Sequence, residues 1–250
     1  SSLEIDLDGF SFSGETVQLS CGGLEGTYAT NIKIQYALSD IEPQGDMGWI
    51  DVDKFDYSSY GSTYFFDFTA PELGSDVKQT KLWVRIKCDS QYSNVDYAYF
   101  YKIDTQYVLK LKGQDRALTY DSTSGLIMTD YKDPPPSMGQ LFQILLYADA
   151  ANLDSSLYTE CKIGKVRLKT GSYYSYFWNY SSLSTTIMDY VATDVYFCAK
   201  EDGSYDIRVY NEDNESYDYM QSGVDDTYPV LGSASADKTH SWTLISIPCQ

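Results

Sequence analysis

Tyr205-Asp-Ile-Arg-Val209 opens the stretch that decides the fold, because three further segments complete it into a unit that occurs three times. Those segments are Tyr217-Asp-Tyr-Met220, Tyr228-Pro-Val-Leu231 and His240-Ser-Trp-Thr-Leu-Ile245. Each run is short, rich in aromatic or β-branched residues, and bounded by Gly, Asp, Asn or Ser, which is the pattern of strands and turns. The same four-part sequence appears earlier as Tyr107-Val-Leu-Lys-Leu111, Ala117-Leu-Thr-Tyr120, Leu126-Ile-Met-Thr129 and Gln140-Leu-Phe-Gln-Ile-Leu145. Between the two lie Gly164-Lys-Val-Arg-Leu-Lys169, Tyr173-Tyr-Ser-Tyr176, Thr186-Ile-Met188 and Val195-Tyr-Phe-Cys-Ala199. Lys110, Arg167 and Arg208 hold one place in the three opening runs. Phe142, Phe197 and Trp242 hold one place in the three closing runs.

Three four-stranded units cannot each bury an apolar face alone, and together they close a barrel. The spacing therefore predicts a β-trefoil over residues 105–250. Residues 1–104 read differently. Candidate strands Leu3–Leu7, Thr16–Cys21, Ile32–Leu38, Trp49–Val52, Tyr64–Phe68, Leu82–Cys88 and Ala98–Ile103 make seven in about 100 residues, the count of a two-sheet sandwich. The expected fold is all-β: an immunoglobulin/fibronectin-like β-sandwich followed by a β-trefoil.

Two local patterns carry a family resemblance. Ile32-Lys-Ile-Gln-Tyr-Ala-Leu38 with Trp49-Ile-Asp-Val52 resembles the central hairpin of a fibronectin type III module. Leu82-Trp-Val-Arg-Ile-Lys-Cys88 resembles the penultimate strand of that family. Cys21 and Cys88 end the second and sixth candidate strands. The likeness to immunoglobulin domains, whose cysteines pair across those strands, implies a Cys21–Cys88 disulfide. In the second part, Gln140-Leu-Phe142 and His240-Ser-Trp242 resemble degenerate copies of the Gln-x-Trp motif of ricin-type trefoil lectins.

That second resemblance implies sugar pockets built from an acidic acceptor, a stacking aromatic and a polar side chain near the motif. A neutral polyol needs these groups: a charged acceptor for fixed hydroxyls and a flat apolar surface for C–H groups. In the third unit it implies Asp218 as acceptor, Tyr228 as stacking ring, and Thr239 and His240 as the polar pair. In the first unit the acceptor position falls closer to Thr119, with Asp121 two residues on, and the resemblance implies Tyr131 as stacking ring and Gln140 as donor. The second unit offers Tyr174, Tyr176 and Trp178 but no acidic acceptor. Six aromatics in eight residues, Tyr173 to Tyr180, also make a candidate contact ridge for a protein partner or a packed interface.

Composition narrows the rest. The 250 residues include 25 Tyr and one His, and 36 acidic against 18 basic residues give a formal net charge of −18. Such a surface repels phosphate backbones, so nucleic acid is excluded as an expected partner. No window holds the apolar run that a membrane span requires. The start at Ser1-Ser2 suggests a removed or omitted leader. Five widely spaced cysteines without metal spacing fit disulfides in an oxidising compartment, with one thiol left over. With His240 the single histidine and no glycine-rich phosphate loop, no catalytic centre and no cofactor are expected. Carboxylate pairs such as Asp225-Asp226 and Glu212-Asp213 read as solvated turn residues. The expectation is a secreted or cell-surface, non-enzymatic protein that binds neutral glycans or glycoproteins; the alternative is a protein-interaction or adhesion module using its Tyr-rich surface.

Overall fold

In the computed structural model of this chain, residues 2–24, 31–134, 137–148, 165–178 and 182–249 are described. Two compact units divide it, Ser1–Ile103 and Asp104–Gln250.

The first unit has ten strands: β1 (Glu4–Leu7), β2 (Phe10–Phe12), β3 (Thr16–Gly22), β4 (Ile32–Leu38), β5 (Ile50–Asp51), β6 (Asp56–Tyr60), β7 (Thr63–Thr69), β8 (Gln79–Cys88), β9 (Gln91–Tyr92) and β10 (Asp96–Tyr101). One sheet runs β1-β3-β7-β6 and the other β2-β10-β8-β4-β5, with β9 added beside β8. Alternation in β3 sends Val17, Leu19 and Cys21 inward, and β8 answers with Leu82, Val84 and Ile86, so both inner faces meet in one core. The order of the first sheet and the β10-β8-β4 run of the second are those of an immunoglobulin-like sandwich. β2 lies parallel to β10, from Phe10 opposite Tyr99 to Phe12 opposite Tyr101.

The implied Cys21–Cys88 bridge is absent: both cysteines are free thiols. The middle of the sandwich, where such a bridge would sit, is filled by Leu19, Val84 and Ile86. The cysteines lie at the strand ends, Cys88 being the last residue of β8. Cys21 turns its S–H to the Gly22 carbonyl, 3.5 Å away. Burial, and then the neighbouring Cys88, push the Cys21 thiol up to about 11. Cys198, in the second unit, is disulfide-bonded, and its partner lies outside the described residues.

The second unit begins with β11 (Thr105–Leu111), β12 (Arg116–Asp121), β13 (Gly125–Asp130) and β14 (Gln143–Ala148). It continues with β15 (Lys165–Thr170), β16 (Tyr173–Trp178), β17 (Ser182–Thr186) and β18 (Val195–Ala199). The last four strands are β19 (Tyr205–Asn211), β20 (Ser216–Gln221), β21 (Val230–Gly232) and β22 (Ser241–Pro248). Six of these form a ring: β11 pairs with β22, β22 with β19, β19 with β18, β18 with β15, and β15 with β14. The ring closes where Tyr107 and Phe142 exchange two 2.8 Å backbone hydrogen bonds. Pairing β12 with β13, β16 with β17 and β20 with β21 leaves one hairpin on each unit. A closed ring of six strands with three hairpins accompanies the threefold repeat of the sequence. Phe142, Phe197 and Trp242, the equivalent aromatics, are all buried in its core. Burying a side chain of that size stabilises the fold by roughly 1.5–3 kcal/mol.

Candidate functional site

Third-unit positions singled out by the lectin resemblance are held inside the fold. Asp218 stands on β20 opposite Val209 and is 6% exposed. Its Oδ2 accepts a 3.0 Å hydrogen bond from the Asn211 side chain. Thr239 pairs with Ser222 through the backbone, and its hydroxyl accepts from the Gln114 side chain at 3.3 Å. The Nδ1 atom of His240 lies 2.9 Å from Asp206, and its ring packs 4.6 Å from that of Tyr219. Tyr228 is exposed at 54%. Thr239 and His240 are chain neighbours, but no hydrogen bond or ring contact joins either of them to Asp218 or Tyr228 among the described residues.

Positions in the first of the three repeats are likewise used locally. Asp121 accepts from the backbone N–H groups of Thr123 and Ser124, both at 2.9 Å, which shapes the β12–β13 turn and holds its carboxyl below the usual range. Tyr131 is half-buried and donates its backbone N–H to Asp115; burial, and then Asp133, raise its phenol above the ordinary value. Gln140 is wholly buried. Its Nε2 donates to the Thr129 hydroxyl and the Asp130 carbonyl, each at 3.0 Å, so it ties hairpin to barrel and cannot reach a surface ligand. Close approach makes this possible: a Cβ on Gly139 would lie 2.4 Å from the Tyr120 carbonyl oxygen.

Among the described side chains of the aromatic run 173–180, some are packed and some stay open, Tyr173 at 36% exposure. Tyr174 and Phe177 are buried, and Tyr173 stacks on Tyr120 at 4.8 Å. The side chains of Trp178 to Tyr180 fall outside the described residues.

A concave site of about 340 Å³ opens instead within the barrel unit, where its second and third repeats meet. Strand pairing builds it. Lys165 of β15 lies opposite Tyr196 of β18, and Tyr210 of β19 lies opposite Tyr217 of β20. The Tyr217 ring meets Tyr196 edge-on at 5.4 Å and Tyr210 at 5.1 Å, so three phenols form one continuous wall. Tyr210 is the exposed member, at 39%. Glu212, in the turn after β19, puts a carboxylate on the rim. Asp194 adds a second carboxylate, whose position is fixed by a 2.6 Å bond from Arg167 Nε and by the Tyr147 hydroxyl. Burial first, and then Asp194, raise the Tyr147 phenol well above its ordinary value, so it remains a donor at neutral pH. Thr193, beside Asp194, accepts from the Phe177 backbone N–H at 2.9 Å.

An aromatic wall, two carboxylate acceptors and the Lys165 ammonium thus surround one shallow hollow. These groups can hold a polar, ring-shaped, uncharged molecule by stacking and hydrogen bonding. The sequence signal for the site is the pairing of Tyr210 with Tyr217 across a hairpin, visible only once the register is known. No group of three or more His, Cys, Asp or Glu that could hold a metal occurs among the described residues. No helix among them is long and apolar enough to cross a membrane.

Fold and site together define an all-β protein with an immunoglobulin-like sandwich, a closed six-stranded barrel, and a Tyr-walled hollow on the barrel. No protein-family model and no curated protein sequence matches the chain. Among solved structures, the crystal structure of an ICAM-5 D1–D4 ectodomain fragment aligns with 93% of this chain at 10% identity and a TM-score of 0.27. This chain covers 47% of that structure, about half its length.

Proposed function

We propose that this chain is a secreted or cell-surface, non-enzymatic carbohydrate-binding protein whose trefoil unit is related to the ricin-type lectins. The reading is carried by one observation: Tyr196, Tyr210 and Tyr217 form a wall beside the carboxylates of Asp194 and Glu212 in a single hollow. Pyranose C–H groups pack on aromatic faces, while adjacent hydroxyls donate to a carboxylate whose own position is already fixed. Arg167 and Tyr147 hold Asp194 in place before any ligand arrives, which lowers the ordering cost of binding. The sandwich unit serves in this reading as the module that presents the barrel.

The test is a glycan array on the intact protein, repeated with Tyr210→Ala and Glu212→Gln. Both positions are exposed enough to change without opening the core. Selective binding that falls at least about tenfold in each variant, equivalent to about 1.4 kcal/mol, is the expected result. A blank array from folded protein sinks the lectin reading. Binding that survives both substitutions places the sugar elsewhere.

A further inference from the structure

The hairpin joining β19 to β20 carries Asn214-Glu215-Ser216, an Asn-x-Ser triplet whose middle residue is not proline. Such a triplet is an acceptor for N-linked glycan when it lies on exposed chain in a secretory compartment. Both conditions have support here. Every residue from Glu212 to Ser216 is exposed. The turn is held from its base: the Asn211 side-chain oxygen accepts from the backbone N–H of Asp213 at 3.0 Å and of Asn214 at 3.4 Å. Glu215 takes a left-handed φ of 50°, which completes the turn and leaves its flanking residues at the tip. The Asn214 carboxamide makes no hydrogen bond among the described residues, so modifying it breaks nothing. Independently, Cys198 is disulfide-bonded, the state expected of a chain that matures in an oxidising lumen.

We infer that Asn214 is an N-glycosylation site. The donor class is an oligosaccharide linked through pyrophosphate to a polyprenyl lipid, and a transferase catalyses the step. The Asn214 Nδ2 atom attacks the anomeric carbon of the first sugar and loses one proton. The bond from that carbon to the phosphate oxygen breaks, and the lipid pyrophosphate leaves with the electron pair. Nothing is oxidised or reduced. A second triplet, Asn179-Tyr180-Ser181, lies outside the described residues, so the assignment must be read peptide by peptide.

The experiment is to translocate the full chain into endoplasmic-reticulum microsomes and keep only copies protected from added protease. Proteolytic peptides containing Asn214 are then mapped by mass, before and after a peptide-N-glycanase that leaves Asp in place of the glycosylated Asn. The expected result is a hexosamine-bearing peptide in most protected copies, converted to the Asp form by the glycanase. The modification should vanish from that peptide in Asn214→Gln and Ser216→Ala and persist in Ser216→Thr. An unmodified Asn214 peptide in protected chain overturns the inference. So does modification that persists on this peptide in Ser216→Ala. Transfer precedes complete folding, so the readout does not depend on whether a variant reaches its native state.

Discussion

Asn211 donates a 3.0 Å hydrogen bond to the carboxylate of Asp218, and both side chains are buried between β19 and β20. The pair fixes the hairpin from which Tyr210 and Tyr217 project, so Asp218 supports the candidate site from within. Removing one partner strands the other without solvent, at a cost of about 1–3 kcal/mol. Asp218→Ala should therefore destabilise the barrel unit by an amount in that range, read as a lower urea midpoint. Glycan affinity per folded molecule should stay near wild type. Denaturation and titration on the same samples check this; a stable variant that fails to bind would return Asp218 to the binding site.

Gln140 follows the same logic in the first of the three barrel repeats. Its amide satisfies the Thr129 hydroxyl and the Asp130 carbonyl in a region closed to water. Gln140→Leu keeps volume but abandons both acceptors, and should destabilise the barrel unit by about 1–3 kcal/mol. Because the residue is remote from solvent, no change in ligand preference should accompany the loss. Thermal unfolding alongside the glycan array separates the two effects.

These two side chains also show what the sequence conveys and what it hides. Threefold spacing of Phe142, Phe197 and Trp242 is legible because core aromatics recur at fixed places in each unit. β3 and β8 are legible because their apolar residues alternate. β6, Asp-Tyr-Ser-Ser-Tyr, is exposed along its whole length, so no alternation marks it; it exists because β7 offers it an edge. Likewise β2 and β9 are too short to carry a period. Site residues suffer most, because an Asp or Gln reads the same whether it faces solvent or a buried hydroxyl. Register decides that: Asp218 falls on the buried face of β20 and Tyr217 on the pocket face.

The free thiols give a prediction that chemistry can check directly. With its proton held up to about 11, Cys21 is almost entirely un-ionised near pH 8, and it is buried as well. Burial, and then Asp89, raise the half-buried Cys88 thiol too. Cys249 is exposed. A brief treatment of native protein with iodoacetamide at pH 8 should label Cys249 first and leave Cys21 unlabelled. Adding denaturant without reductant should then expose Cys21 and Cys88 to the same reagent. Failure of those two to label under denaturing, non-reducing conditions would mean that they are bridged after all.

A clamp around residues 223–226 ties stability to pH. Arg116 donates to the carbonyls of Gly223 and Val224, at 2.8 and 2.9 Å, and to that of Asp226. Asp226 in turn accepts from Lys238 at 2.6 Å and from the Gly223 backbone N–H at 2.8 Å. Those two bonds, the Lys238 one foremost, hold its carboxyl below the usual range. A folded-state value below the unfolded one gives stability that is present above the unfolded value, about pH 4 for Asp, and lost as pH falls through the folded value. On the other partner, the bond to Asp226 raises the Lys238 ammonium, whose contribution is present below the unfolded lysine value and lost as pH rises through the folded one. Because the pair is only half-buried, its effect is small and weakens with salt. Asp226→Asn should therefore flatten the acid limb of the melting-temperature profile below about pH 4. Near neutral pH it should cost only a small decrease, and 1 M salt should narrow the difference from wild type. Parallel acid limbs in wild type and variant would show that Asp226 is not the group whose protonation loosens this loop.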